Sequence, residues 1–498
     1  APVRQLAPRE EWESRLAQRS RPLRRQHRVL QHQIAHSSRL VVMTDPARSL
    51  LLDFCQAPFS RRCRAFVRTS GWAESRRTAA CCRFEYKGRM EQDYRIERDS
   101  LGEVRVPMDA LYGPQTARAV ENFPISSMRL QRPFLRALGL IKAAAALVNG
   151  RMGQLPQTKA AAIEAAAREV AEGIHDDAFV VDVFQSGSGT STNMNANEVI
   201  GRLAGAQPND EVNRGQSSND VIPTALHMAA AETVRDRLLP AMSVLQEALE
   251  AKARQFHDVI KIGRTHLQDA VPIRLGQEFS GYARQVEASR ERVQAALPGM
   301  CELALGGTAV GTGLNAPAGF AAAVIEELAG RTGLPLREAV NHFEAQGARD
   351  AAAFLSASLR NYALSLTKIA NDIRWLGCGP RCGIGELGIP ATQPGSSMMP
   401  GKVNPVIAES LLMVCAQVIG HDSAIAWCAA AGNFELNAMM PLIAWDLLDS
   451  IELLSSGTRN FELRLVRGLE ANRDRVAAFV EQSLGIATAL APVIGYEK

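Results

Sequence analysis

The sequence predicts a mainly α-helical protein built as a bundle of long helices. Hydrophobic residues make up 46% of the 498 residues but aromatic residues only 5%, and a chain rich in Ala and Leu favours packed helices over sandwiches and barrels. Residues 348–376 contain no Gly or Pro, and their apolar residues recur at alternating spacings of four and three. Such a seam is typical of a long helix packed nearly parallel to its neighbours.

Further helices are predicted along the second half of the chain. One starts at Pro223, a residue type that suits a first helical turn, and continues to Phe256 with a kink at Pro240. Three more segments are also predicted to be helical: 275–298, 406–430 and 437–460. Helices of this length imply a bundle, and their seams are expected to bury against partner subunits as well.

The positive charge of the chain is concentrated in its first 89 residues. These hold 19 Lys and Arg against 7 Asp and Glu, a net charge of +12, whereas the rest holds 37 basic and 45 acidic residues, a net charge of −8. Arg-rich stretches can bind nucleic acid, but no binding motif accompanies this one, so no nucleic-acid partner is expected. Residues 1–89 are predicted to be a disordered extension or sequence upstream of the natural start, because their acidic residues and length argue against a transit peptide.

Neither the cysteines nor the hydropathy indicates a metal or membrane protein. Four of the nine cysteines lie in residues 1–89 and the others are scattered. Cys378 and Cys382 form a C-x3-C pair, which is not a usual zinc spacing and has no His pair to complete it. No run of 18 apolar residues occurs, so no membrane span is expected. We predict reduced thiols, no metal and no cofactor.

Gly- and Ser-rich segments interrupt the helical pattern at four places: 186–190, 215–219, 306–313 and 377–401. The last holds seven Gly and four Pro, so a regular element is not expected there. Near its end, the stretch from Gly395 to Pro405 offers two hydroxyls, an ammonium and a carboxamide ahead of a predicted helix. Small residues before a free helix N-terminus favour anions. The sequence therefore predicts an anion-binding loop on a rigid helical scaffold.

The stretch Gly395–Pro405, GSSMMPGKVNP, resembles the signature loop of the fumarase/aspartase superfamily, G-S-S-x-M-P-x-K-x-N-P. Three other segments resemble the family's loops and occur in its order: Gln185–Glu198, Gln216–Pro223 and Arg264–Asp269. The resemblance covers residues 90–498. It implies the family's fold, a long-helix bundle whose central helices pack in a tetrameric core.

Three features indicate the class II, iron-independent fumarases within that superfamily. Gly401 follows Pro400 where aspartases usually have Ala. The segment 306–313, GGTAVGTG, and the tripeptide Phe343–Ala345 also resemble fumarases. The resemblance implies reversible hydration of fumarate to L-malate in the tricarboxylic acid cycle. An aspartate ammonia-lyase and a catalytically silent scaffold are the alternatives.

The resemblance also implies a catalytic set. Removing a proton from C3 of malate places extra negative charge beside a carboxylate, so the site must concentrate donors there. Ser396 would be the base that removes this proton, His266 would exchange a proton with the departing hydroxyl, and Glu409 would pair with His266. The expected substrate-binding residues are Ser188, Gly189, Thr190, Ser217, Ser218, Asn219, Thr265, Ser397, Lys402, Val403 and Asn404.

The assembly follows from the same resemblance. The family forms homotetramers whose sites each draw on three chains, and we expect the same here. The expected compartment is the cytoplasm, with the mitochondrial matrix as the alternative.

Within the first loop, Asn195 and Glu198 are expected either to orient the loop or simply to cap a helix.

The sequence departs from the family in two further places. Relatives carry His-Pro-Asn-Asp as a secondary dicarboxylate site, but Gln207, Pro208, Asn209 and Asp210 stand here, which leaves the survival of that site open. The predicted domains are an N-terminal helical domain (90–216), a central bundle (217–473) and the start of a C-terminal helical domain (474–498), which relatives extend further.

Overall fold

The structure, a computed structural model, describes residues 93–496 and two short strands before them, Thr44–Asp45 (β1) and Arg48–Ser49 (β2). These strands form an antiparallel pair. The contacts divide the chain into two units, Ala1–Gly88 and Arg89–Lys498. Apart from these two strands, the residues of the predicted disordered extension, 1–89, lie outside the described ones.

Helices account for most of residues 93–496, which confirms the predicted mainly α-helical class. The α-helices are Pro114–Asn122 (α1), Arg132–Arg151 (α2), Gln157–Glu172 (α3), Thr190–Ala204 (α4), Ser218–Thr233 (α5), Leu239–Gln255 (α6), Leu275–Met300 (α7), Phe320–Thr332 (α8), His342–Gly347 (α9), Asp350–Leu376 (α10), Val406–Ala429 (α11), Met440–Arg464 (α12), Arg473–Gln482 (α13) and Ala491–Ile494 (α14).

The strands of residues 93–496 are short and form two-stranded pairs only. They are Tyr94–Asp99 (β3), Gly102–Pro107 (β4), Ile260–Thr265 (β5), Gln268–Arg274 (β6), Glu302–Leu303 (β7), Arg337–Glu338 (β8), Leu387–Gly388 (β9), Gly432–Asn433 (β10), Leu436–Asn437 (β11) and Glu470–Ala471 (β12). The pair β7–β8 is parallel, and every other pair is antiparallel.

The long helices α5, α6, α7, α10, α11 and α12 pack side by side in a bundle. Helix α10 covers the predicted heptad segment, and its seam residues are buried. From this seam, the Tyr362 hydroxyl shares a hydrogen bond with Thr458 of α12 (3.0 Å). The heptad prediction is therefore confirmed. The helices predicted at 275–298, 406–430 and 437–460 are present as α7, α11 and α12, with ends shifted by a few residues.

The predicted start of a helix at Pro223 was wrong, because α5 begins at Ser218 and Pro223 lies inside it. The reason is the cap in front of the helix. The Ser217 hydroxyl accepts a hydrogen bond from the backbone N–H of Asn219 (3.2 Å). In return the Asp220 carboxylate accepts one from the backbone N–H of Ser217 (2.9 Å). This capping box fixes the helix start five residues earlier.

The kink expected at Pro240 takes the form of a π-helical turn, Val234–Leu238, between α5 and α6. Proline has no backbone N–H, so the carbonyl four residues before it loses its α-helical donor. A widened turn at that point accommodates the missing hydrogen bond.

An N-terminal group of helices packs against the bundle through α2, which contacts α3, α5 and α8. Helix α2 is rich in small buried residues, among them Ala143, Ala144 and Ala145, which allow close helix packing. The division of residues 90–498 at 216 and 473 stays a prediction.

Glu198 of α4 anchors helix α1 from a distance. Its side-chain carboxylate accepts hydrogen bonds from the backbone N–H groups of Gly113 (2.9 Å), Gln115 (2.8 Å) and Thr116 (3.0 Å). These are free N–H groups of a helix N-terminus, which a carboxylate stabilises. Asn195 similarly accepts from Val180 N–H (3.2 Å). Glu198 therefore caps a helix, whereas Asn195 binds residues 178–180, the segment that leads towards the first loop.

One helix within residues 93–496, α11, is long and apolar enough to span a membrane by length and composition, and the bent pair Arg473–Gln482 and Leu484–Ile494 passes the same test together. Helix α11 packs between α10 and α12 in the bundle, and core helices of soluble proteins pass this test too.

Replacing Glu198 by Gln tests the anchor on α1. One end of the amide donates rather than accepts, so at least one N–H of α1 loses its partner. We expect the free energy of unfolding to fall by about 1–3 kcal/mol, measured as a lower melting temperature. Glu121→Gln, at an exposed carboxyl on α1 itself, should leave the melting temperature unchanged. Equal melting temperatures for the two variants would contradict the anchoring role.

Candidate active site

Three predicted hydroxyl groups meet where α4 and α5 begin. The Thr190 hydroxyl lies 2.8 Å from the Ser188 hydroxyl and 2.7 Å from the Ser218 hydroxyl. All three residues are half-buried, and we call them the hydroxyl cluster. Because Thr190 and Ser218 are the first residues of their helices, two helix N-termini converge there. This arrangement favours a bound anion.

The remaining predicted residues of these two loops support the cluster. Gly189 is buried and precedes α4 with a φ of 72°, a left-handed conformation that Gly adopts without steric cost. Ser217 caps α5, as described above. The Asn219 amide donates to the backbone carbonyl of Ala309 (2.8 Å), which ties the second loop to the segment 306–313.

Asp220, which the sequence analysis did not single out, holds two backbone segments in place through three hydrogen bonds. Besides Ser217 N–H, its carboxylate accepts hydrogen bonds from Gly306 N–H (3.1 Å) and Thr308 N–H (2.9 Å). Burial raises the pKa of Asp220 to about 6, although the three N–H donors and nearby Lys142 oppose that rise. At neutral pH the ionised carboxylate can therefore accept all three hydrogen bonds. The sequence could have indicated this residue, because Asp220 lies three residues after Ser217, the spacing of a capping box.

Lys142 of α2 was also missed, since nothing in an Ala-rich helix marks one lysine as special. It is fully buried, and its ammonium donates to the side-chain carbonyls of Asn213 (2.9 Å) and Gln216 (3.0 Å). Burial lowers the pKa of Lys142 to about 7, and the charge of Asp220 opposes that shift. The lysine thus braces the backbone that leads into the hydroxyl cluster.

Residues 395–404, the serine loop, close on themselves. Gly395 N–H donates to the Lys402 carbonyl (2.9 Å), and the Asn404 amide donates to the Gly395 carbonyl (2.5 Å). Inside the loop, the Ser396 hydroxyl oxygen accepts hydrogen bonds from the backbone N–H groups of Met399 (2.9 Å) and Met398 (3.2 Å). Donors of this kind stabilise negative charge on the oxygen. Three other predicted residues of the loop are exposed: Ser397, Lys402 and Val403.

His266 occupies the tip of the β5–β6 hairpin, which we call the histidine hairpin. Thr265 pairs with Gln268 across a two-residue turn, in which His266 and Leu267 have φ values of 57° and 60°. Such turns favour Asn and Gly, and other residues there store about 1–2 kcal/mol of strain each. The turn leaves both Thr265 and His266 exposed. Strain retained in this way is often a mark of a functional site.

Helix α12 separates the hydroxyl cluster from the serine loop. At its start, Met440 N–H donates to the Gly187 carbonyl of the first loop (2.9 Å). Beyond its end, β12 pairs with β9, which leads into the serine loop. The 25 residues of α12 span about 37 Å at a rise of 1.5 Å per residue.

Two further contacts keep the serine loop and the histidine hairpin at the far end of α12. The serine loop opens into α11, which packs on α12 and joins its start through residues 430–439, so the first turn of α11 lies near the end of α12. Arg264 of β5 donates to the carboxylate of Glu386 (2.8 Å), next to β9. One chain therefore holds the hydroxyl cluster at one end of the bundle and Ser396 and His266 at the other.

Glu409, the predicted partner of His266, lies in the first turn of α11 and is half-buried. In the described part of the chain, no hydrogen bond or ion pair joins it to His266, so that pairing stays a prediction. Among residues 93–496 no group of three or more His, Cys, Asp and Glu side chains lies close enough to hold a metal ion.

The segment at the secondary dicarboxylate position forms a π-helical turn, Pro208–Val212. Gln207 N–H donates to the carboxylate of Glu211 (2.7 Å). The side chains of Gln207, Asn209 and Asp210 are exposed, and Pro208 is half-buried.

Comparison with known proteins identifies the family. The sequence profile of a family described as Lyase matches residues 102–420. The class II fumarate hydratase of Mycobacterium tuberculosis is 56% identical over 412 residues, which cover 82% of this chain and 87% of that protein. The chain belongs to the class II fumarate hydratases.

Other members of the class II fumarate hydratases support the assignment. The enzyme of Ralstonia nicotianae is 52% identical over 416 residues, covering 81% of this chain and 90% of that protein. The crystal structure of class II fumarase from Schistosoma mansoni superimposes with a TM-score of 0.80 at 40% identity, covering 81% of this chain and 91% of that one. The long-helix bundle expected from the sequence motifs is thereby confirmed for the single chain.

Gly187→Ala tests how the first loop is seated on α12. A methyl group at position 187 would lie 1.7 Å from the Ala438 carbonyl oxygen, so the loop must move. We expect a loss of about 1–3 kcal/mol in unfolding free energy, read from thermal melts. Gly330→Ala in α8, where the methyl group meets no atom within 4 Å, should instead stabilise the protein by about 0.5–1 kcal/mol. A Gly187→Ala variant as stable as the unmodified protein would contradict this seating.

Proposed function

We propose that this chain is a fumarate hydratase, which interconverts fumarate and L-malate without a metal or an organic cofactor. Its identity of 56% to a class II fumarate hydratase over most of both chains supports this activity. The observation that carries the chemistry is the environment of Ser396, whose hydroxyl oxygen accepts two backbone N–H hydrogen bonds. A serine can act as a base only where its alkoxide is stabilised, and these donors supply part of that stabilisation.

The proposed reaction begins with malate. The Ser396 alkoxide removes the proton from C3, and the electron pair moves into the adjacent carboxylate to give an aci-carboxylate dianion on that group. The C2–O bond then breaks as His266 donates a proton to the departing hydroxyl, so that water leaves and fumarate forms. In the reverse direction His266 takes a proton from water, and Ser396 returns the proton to C3. An imidazole exchanges protons near neutral pH.

The donors required by the aci-carboxylate come from both ends of the bundle in this proposal. Thr190 and Ser218 supply hydroxyl groups at two helix N-termini, and Asn219 supplies an amide. Lys402 and Asn404 supply a cation and a second amide beside Ser396. Positive charge and donors on one carboxylate are what the formation of a weak carbanion demands.

The separation along α12 leads to the proposed assembly. Since one chain holds the hydroxyl cluster about 37 Å from the serine loop, a complete site needs at least two chains. We propose the homotetramer of the family, with each site shared between subunits. Exposed apolar side chains on the long helices support it, among them Met413 and Trp427 of α11, which are 68% and 79% exposed in the single chain. The bacterial cytoplasm is the proposed location, with the mitochondrial matrix as the alternative.

Two alternatives are separated by substrate tests. An aspartate ammonia-lyase would release ammonia and fumarate from L-aspartate and leave L-malate unchanged. A silent scaffold would do neither. The hydratase forms fumarate, visible by its ultraviolet absorbance, from L-malate alone.

Ser396→Ala tests the proposed base on this assay. Without the hydroxyl no group accepts the C3 proton, so kcat for malate should fall by about 10²- to 10⁴-fold while gel filtration shows an unchanged assembly. Ser397→Ala removes the neighbouring exposed hydroxyl and should affect KM more than kcat. Near-normal kcat in the Ser396→Ala variant would remove Ser396 from the base role.

A further inference from the structure

A buried group of four charged residues lies between the histidine hairpin and the root of the serine loop. Lys261 and Arg264 lie in β5, Glu278 lies in α7, and Glu386 is the residue directly before β9. The Lys261 ammonium lies 2.9 Å from the Glu278 carboxylate and 3.3 Å from that of Glu386, and the Arg264 guanidinium lies 2.8 Å from Glu386. Two cations face two anions, so the charges of this quartet balance.

Glu386 is the most deeply placed member of the quartet. Its side chain is 0% exposed, against 1% for Lys261, 18% for Arg264 and 23% for Glu278. A carboxylate so far from water needs both of its cationic partners, because the loss of one member of a buried ion pair leaves an uncompensated charge.

Arg264 connects Glu386 to the histidine. It lies two residues before His266, directly after a break in the strand register at Gly263. A methyl group at position 263 would lie 2.9 Å from the Val271 carbonyl oxygen, so Gly is needed for this close approach. An irregularity of this kind turns the following residue away from the regular strand direction. It leaves Arg264 aimed at Glu386 and at the Phe479 ring, 5.8 Å from its centroid.

The backbone around Glu386 is held equally firmly. Its carbonyl accepts a hydrogen bond from Asn472 N–H (2.9 Å). Just before it, the Arg475 guanidinium donates to the carbonyls of Gly383 (2.8 Å) and Ile384 (3.1 Å). The next residues form β9, and Ser396 follows Glu386 by ten positions. The segment just before the serine loop is therefore fixed at Glu386, the residue that accepts the hydrogen bond from Arg264 of the histidine hairpin.

We infer that Glu386 is a positioning residue that orients both proposed catalytic elements, the histidine hairpin through Arg264 and the serine loop through its own backbone. The inference rests on the proposed function, because it assigns a purpose to the placement of His266 and Ser396. Glu386 touches no substrate in this account. It acts by holding in place two elements of its own chain, the strained hairpin tip and the Gly-rich loop.

The quartet contains its own matched control. Glu278→Gln and Glu386→Gln make the same chemical change, remove the same charge and leave Lys261 with one carboxylate partner. Only Glu386→Gln breaks the contact with Arg264. Because Glu386 is more deeply buried than Glu278, the link to the hairpin is reported by a fall in kcat that Glu278→Gln lacks and that a change at Arg264 reproduces.

The experiment compares unmodified protein, Glu386→Gln and Glu278→Gln in steady-state kinetics with malate and with fumarate, alongside thermal melts and gel filtration. Small displacements of catalytic groups reduce turnover by up to about 100-fold. We expect kcat of Glu386→Gln to fall by about 10- to 100-fold, with a smaller change in KM and an unchanged assembly. Glu278→Gln should retain kcat within about threefold, since its carboxylate contacts only Lys261 of the quartet.

A second variant covers the case in which Glu386→Gln does not fold. Arg264→Gln breaks the contact from its more exposed side and should show the same fall in kcat. The double variant, with Glu386→Gln and Arg264→Gln together, should be at most about twofold slower than the slower of the two single variants. The effects of two residues that act through one contact are not additive. Full additivity, or equal kcat values for the Glu386→Gln and Glu278→Gln variants, would overturn the inference. An unmodified protein without malate turnover would instead refute the proposed function.

Discussion

The length of the bundle helices is the constraint on which the rest of this structure depends. Helix α12 contacts the first loop at its start, and the segment beyond its end pairs with β9, which precedes the serine loop. A helix cannot shorten, so the groups at its two ends stay about 37 Å apart whatever the loops do. The chain thus divides its proposed chemistry into a donor end, with the hydroxyl cluster, and a proton-transfer end, with Ser396 and His266. Assembly of several chains is the direct way to reunite them.

Each end is organised by a buried carboxylate that does not react. At the donor end, Asp220 binds the N–H groups of Ser217, Gly306 and Thr308 and so fixes two loops around the cap of α5. At the proton-transfer end, Glu386 forms ion pairs with Arg264 and Lys261. Buried charges are costly unless they are paired or hydrogen-bonded, and in both cases the partners belong to elements that must be held still. The cost of burial is offset by contacts that preorganise the site.

Sequence patterns predicted the parts of the fold that depend on local periodicity. The seam of α10 was predictable because its apolar spacing is repeated within one helix. The start of α5 was placed wrongly at Pro223, because the preference of Pro for first turns was given more weight than the capping box formed by Ser217 and Asp220. The four loops were predicted from motif resemblance rather than from physical properties of the residues.

The contacts that organise the site were not predictable in this way. Thr308 lies 88 residues after Asp220, and Glu386 lies 122 residues after Arg264. A single sequence carries no signal for pairs so distant. The strained φ of His266 was equally hidden, since neither His nor Leu is typical of its turn. Buried Lys142 shows the same limit, because its partners Asn213 and Gln216 come from a separate part of the chain.

The central claim, that a complete site joins the hydroxyl cluster of one chain to the serine loop of another, is tested most directly by mixing two inactive variants. One variant carries Thr190→Val and Ser218→Ala, and the other carries Ser396→Ala. If sites are shared, co-expressed mixed oligomers contain up to about a quarter of sites with both ends intact, and malate turnover should recover to that extent. Activity no higher than that of the two separate variants would contradict the account, because it would mean that each chain uses its own hydroxyl cluster and its own serine.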